Sequence, residues 1–170
     1  MTLTTHTIIG ASVAQFFPQN PVIGLVAAIA SHYVVDTIPH FNLGDCLKSL
    51  KREESGRKHS LTGFVFGWRL ILDGFIVSAD LFLGFMLALL FWHNSAGLLI
   101  LLVGAFGGAL PDLFQILYGL WRNNKTLAVL QKIHDFMHSP RRLDVKTIPF
   151  GILTEVAVIT FTIIVCKLFS

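Results

Sequence analysis

The 170-residue sequence predicts an all-α, polytopic membrane bundle, with four long apolar helices, one short N-terminal helix and a cytoplasmic amphipathic helix. Three observations predict it. Hydrophobic residues make up 54% of the chain and charged residues only 14%, whereas a soluble domain carries about 25% charge. The mean hydropathy is +0.69. Apolar runs recur near the length of about 20 residues that crosses a hydrocarbon core. So few charges cannot cover a water-facing surface of this size. The length suits one domain, spanning residues 1–170.

Residues 5–17 form a short apolar stretch ending at Phe16-Phe17-Pro18. Thirteen helical residues rise about 20 Å, so this is a partial span or one arm of a re-entrant hairpin. Gln19-Asn20-Pro21 is a turn signal. Residues 21–38 form a second apolar helix that stops near Pro39. Residues 41–60 are polar. Residues 61–92 form a long apolar helix ending in the interfacial anchor Phe91-Trp92. His93-Asn94-Ser95 is a tight loop. Residues 97–121 are the next span, ending in Trp121. Residues 122–147 are polar with amphipathic character, and 148–169 are a final span. The N-terminal MTLTTHTIIG has no Lys or Arg. It lacks the basic region of a cleaved signal peptide, so the first helix is expected to stay. Cys46 and Cys166 are far apart and make no CxxC pair, so no disulfide framework is expected.

The basic residues set the expected topology. Segment 41–60 holds Lys48, Lys51, Arg52, Arg57 and Lys58. Segment 122–147 holds Arg122, Lys125, Lys132, Arg141, Arg142 and Lys146. Only Arg69 and Lys167 lie elsewhere, and 93–96 has none. The positive-inside rule places 41–60 and 122–147 in the cytoplasm and 93–96 outside. The basic residues are thereby explained, and nothing suggests nucleic-acid binding.

On that topology the ionisable residues gather in one layer. His6, His32, Asp36, Asp73, Asp112, His134 and His138 come from five segments and all reach the cytoplasmic side. His32 and Asp36 are four residues apart, as are His134 and His138, so each pair shares a helix face. Such N/O sets suit zinc and similar divalent ions. Buried aspartates without a partner are costly in a membrane, and a cation removes that cost. Each residue also has a plainer reading. Asp36 can bond His32, Asp73 can pair with Arg69, Asp112 can mark a helix kink at Pro111, and His134 and His138 can be surface residues. Pro39 bends the chain before His40, which need not share the face of His32. Asp80 reads as a packing or supporting group. Gly104, Gly107 and Gly108 read as a helix-packing patch.

Four pieces resemble the membrane-bound metal-dependent hydrolases: His6-Thr-Ile-Ile-Gly10, Ser31-His32-Tyr-Val-Val-Asp36, Leu110-Pro111-Asp112 and His134-x3-His138-Ser139. The resemblance implies a hydrolase of the cytoplasmic (inner) membrane with His32, Asp36, Asp112, His134 and His138 as its site. The run His32-Asp36-His40 is also similar to the helix ligand pattern of zinc-dependent phospholipase C. The expected function is a metal-dependent hydrolase, with zinc as cofactor and a phosphoester or lipid-linked substrate drawn from the membrane lipid. Asp73 or Asp135 is the expected general base. The alternative is a non-catalytic scaffold, a transporter or a bis-His haem protein using two of His6, His32 and His40.

Overall fold

The computed structural model describes residues 1–40, 68–93, 97–121, 123–138 and 148–169. The 41–60 segment, Cys46, His59, Arg141 and Arg142 lie outside the described residues. The described residues form six helices and no strand: α1 Leu3–Ala14, α2 Pro21–Asp36, α3 Trp68–Trp92, α4 Leu98–Leu120, α5 Lys125–Met137 and α6 Ile148–Phe169.

Three helices are long and apolar enough to cross a membrane, within α3, α4 and α6. A fourth long span, expected over 21–38, is not formed. Asn20 caps α2, its side chain accepting from the Ile23 amide at 3.1 Å, and Pro21 opens the helix. The helix ends at Asp36, three residues before Pro39, because proline disfavours helical backbone just ahead of it. Sixteen residues rise about 24 Å, short of a core of roughly 30 Å. In α4 the helix runs through Pro111, which removes one backbone donor.

The short α1 is the hub. It packs against α2, α3, α4 and α6, and ten of its twelve residues are buried. A helix buried on every side has no polar face to show. Its polar residues turn inward instead and are satisfied there. The Thr2 hydroxyl caps it by accepting from the Thr5 amide. Asp80 of α3 accepts from the Leu3 amide at 2.7 Å, the Thr4 amide at 3.3 Å and the Thr4 hydroxyl at 2.6 Å. Glu155 of α6 accepts from the Thr2 amide at 3.3 Å and from the Thr2 and Thr5 hydroxyls at 2.7 Å each. Two carboxyl groups at a helix N-terminus meet its open amides and the positive end of its dipole. That explains acidic residues in the middle of two apolar helices.

At its other end, α1 is fixed by the Trp92 indole, which donates to the Ser12 hydroxyl at 3.0 Å. Lys167 donates to the Phe91 carbonyl at 2.9 Å and lies 4.6 Å above the Trp92 ring. Glycine lets α1 and α4 touch backbone to backbone. A Cβ on Gly108 would collide with the His6 carbonyl, and one on Gly104 would lie 2.6 Å from the Gly10 carbonyl oxygen. The helices therefore cross at van der Waals contact beside His6.

Candidate metal centre

Four helices and the chain just beyond α2 deliver side chains to a single knot. α1 supplies His6 from its first turn and a half. α2 supplies His32 and Asp36 from its last turn, and the chain beyond it supplies His40. α4 supplies Asp112, next to Pro111. α5 supplies His134, with His138 at its cap. α3 and α6 contribute only through Asp80 and Glu155, which hold the N-terminus of α1 in place.

Asp36 sits at the centre. Its side chain is only 2% exposed. Oδ1 lies 3.1 Å from His6 Nε2 and 3.8 Å from His40 Nε2, while Oδ2 lies 3.2 Å from His32 Nε2 and 3.8 Å from His134 Nε2. The Met1 amine is 3.3 Å from Oδ1. Asp112, at 19% exposed, faces three of the same rings. Its Oδ1 is 3.9 Å from both His32 Nε2 and His134 Nε2, and its Oδ2 is 4.0 Å from His6 Nε2. The His6 and His32 rings stack at 3.8 Å between centroids, and the His40 and His138 rings lie 4.7 Å apart. Three donor triads fit one ion's reach: His6 with His32 and Asp36, His32 with Asp112 and His134, and Asp36 with His40 and His138.

Proton positions make these contacts informative. The Gly108 carbonyl lies 2.8 Å from His32 Nδ1, and a carbonyl only accepts, so Nδ1 carries the proton. The Ile38 carbonyl, 2.6 Å from His40 Nδ1, fixes that ring the same way. In the neutral imidazole the other nitrogen is then a bare lone pair. In both rings that lone pair, Nε2, faces a carboxylate oxygen, and no hydrogen bond satisfies it. His6 Nε2 is likewise buried without a hydrogen bond. Lone pairs opposed to carboxylate oxygens repel unless a proton or a metal cation lies between them. An imidazole whose far nitrogen is tied to a carbonyl is also the usual posture of a metal-bound histidine. A divalent cation therefore fits the residues present. Outside the apolar spans, burial pushes the His40 imidazole down to about 4 and lowers that of His134. Both are held neutral, the form that binds metal.

Of the residues singled out in the sequence, His6, His32, Asp36, Asp112, His134 and His138 are brought together. His40 joins them although the bend at Pro39 argued against it. The signal was its spacing of four from Asp36. Asp135 does not join them. It is exposed on α5 and accepts from Gln131 Nε2 at 2.8 Å, because one residue of helix turns it about 100° from His134. The Asp73 side chain lies outside the described residues. Its backbone is in α3, seven residues from Asp80 and so roughly 10 Å along the axis. The roles of Asp80 and Glu155 in holding α1 had no sequence signal beyond being acids in apolar helices. No protein-family model, curated protein or solved structure matches the chain.

Proposed function

We propose that the chain is a metal-dependent hydrolase of the cytoplasmic membrane, zinc being the leading ion, that cleaves a phosphoester or lipid-linked substrate at the cytoplasmic face. The observation that carries this reading is the pair of rings, His32 and His40, with Nδ1 committed to a carbonyl and Nε2 aimed at Asp36. When bound, the ion supplies Lewis-acid activation of water and of the scissile bond. Asp36, His32 and His134 fix its position. Asp112, the more exposed carboxylate, and the half-buried His138 face the open side, where substrate and water would enter.

Two features support a membrane-borne substrate. α5 carries His134 inward but shows Val129, Ile133 and Phe136 outward, an exposed apolar stripe at helical spacing. Such a helix rests in a lipid interface. The basic segments 41–60 and 122–147 argue for the cytoplasmic side and would attract anionic headgroups.

The non-catalytic reading draws on the Met1 amine, which already offsets part of the Asp36 charge. A haem between His6 and His32 is disfavoured by geometry. Axial imidazoles stand on opposite faces of the macrocycle, and the stacked His6 and His32 rings leave no room for one.

The test combines metal analysis of detergent-purified protein with phosphate release from phospholipid vesicles. Wild type should carry a divalent metal and release phosphate. The variant His32→Ala plus Asp36→Ala should lose both. Unchanged metal content in that variant sinks the proposal.

A further inference from the structure

We infer that the knot holds two divalent cations rather than one, bridged by the carboxylates of Asp36 and Asp112, and that an anionic phosphate group completes the pair. This rests on the metal reading above and deepens it.

The first reason is the number of donors. Five imidazoles and two carboxylates converge, and zinc in a protein takes about four ligands. One ion cannot use them all. The second reason is how the oxygens divide. Asp36 Oδ2 faces His32 and His134, and so does Asp112 Oδ1. The other oxygen of each aspartate, Asp36 Oδ1 and Asp112 Oδ2, faces His6. Asp36 Oδ1 also faces His40, whose ring lies beside His138. Each carboxylate thus turns one oxygen towards His32 and His134 and the other towards His6, whose ring stacks on that of His32. A carboxylate shared in this way is a bridge.

The third reason is size. Metal–nitrogen bonds of about 2.0–2.1 Å in a tetrahedron place neighbouring ligand atoms about 3.3 Å apart. The four contacts in the His32–His134 set span 3.2 to 3.9 Å. Those on the His6–His40 side span 3.1 to 4.0 Å. Both sets are already close to the dimensions of a filled site.

Charge then points to the ligand. Two divalent cations against two carboxylates, with the histidines neutral, leave excess positive charge inside an apolar bundle. Glu155 and Asp80 are engaged with the amides and hydroxyls of α1. The Met1 amine adds a further positive charge. An anion is required, and a phosphate group, with oxygens enough to touch both ions, meets that need. Asp112 and His138, being the accessible members, mark the side on which it would bind.

The experiment is metal stoichiometry on full-length protein in detergent, read by elemental analysis, with electron paramagnetic resonance of the manganese-loaded form. Wild type should bind two equivalents and give a spin-coupled signal. His6→Ala plus His40→Ala should retain one equivalent and give an uncoupled signal, as should His32→Ala plus His134→Ala. Inorganic phosphate should perturb the coupled signal of wild type. One equivalent with an uncoupled signal in wild type overturns the pair and leaves the single-ion reading standing. No bound metal overturns both. A coupled signal indifferent to phosphate overturns the anion assignment. Where a variant does not elute as folded protein, the wild-type stoichiometry and coupling decide alone.

Discussion

At the scale of single residues, chemistry here is set by which ring nitrogen holds the proton. The carbonyls of Gly108 and Ile38 make that choice for His32 and His40. Asp36 then collects what four rings offer. Asp36→Asn keeps the shape and removes the charge. It should weaken metal affinity by more than the roughly 10–100-fold lost on changing an outer partner of a ligand, as measured by competition with a chelating dye. The metal-stripped protein should also be acid-sensitive in a defined window. His40 takes a proton near 6.5 when unfolded but only at about 4 in the fold. Between those values the unfolded chain binds the extra proton, so stability rises with pH. It should fall as pH drops from 6.5 towards 4 and be flat just above that, in thermal unfolding followed by circular dichroism. A His40→Gln variant should lose that part of the slope. The spacing of four showed His32 with Asp36 in the sequence. The same spacing joins Asp36 to His40, but the sequence left that pair open, because the path of the chain around Pro39 depends on the Nδ1–carbonyl bond that closes there. It also could not show that Asp135 turns away, since helix phase is decided by which face of α5 packs.

At the scale of helices, two devices position the site. One is the bare backbone crossing of α1 and α4. Gly108→Val inserts a side chain where the His6 carbonyl already sits. Overpacking of this kind costs about 1–3 kcal/mol, and here it should also push His6 from Asp36. Thermal unfolding and metal content should fall together; a variant that lost neither would show that the crossing is looser than the structure has it. The other device is the carboxyl cap of α1. Asp80→Ala strands two amides, while the Thr4 hydroxyl keeps the residue 80 carbonyl as acceptor. A buried donor left unsatisfied costs about 1–3 kcal/mol, so the melting temperature should drop although Asp80 touches none of the clustered histidines. Three spans were legible from composition alone, since nothing but lipid explains runs as apolar as α3, α4 and α6. The central place of α1 was not. Its Thr, Ser and His residues make it look too polar and too short to span, and only the partners on α3 and α6 make such a helix buriable.

At the scale of the whole molecule, the described ends sort into two sets. α2 ends, α3 begins, α4 ends and α6 begins on the side of the histidine knot, while Trp92 and Lys167 lie on the other. This agrees with the proposed orientation, in which the basic segments face the cytoplasm by the positive-inside rule. In a cysteine-free background, Ser95→Cys should react with an impermeant maleimide in intact cells. Ser55→Cys should react only after lysis. The opposite pattern would turn the proposed site to the outside.

The burial of α1 also bears on the order of events during synthesis. The ribosome makes α1 before the groups that satisfy it, Asp80, Trp92, Gly108 and Glu155, of which Glu155 emerges last. Until α6 is in place, the first turn of α1 holds amides and hydroxyls without their acceptors. Full docking of α1 must therefore wait for α6, and the knot of histidines can close only after α5 has followed α1, α2 and α4 into place.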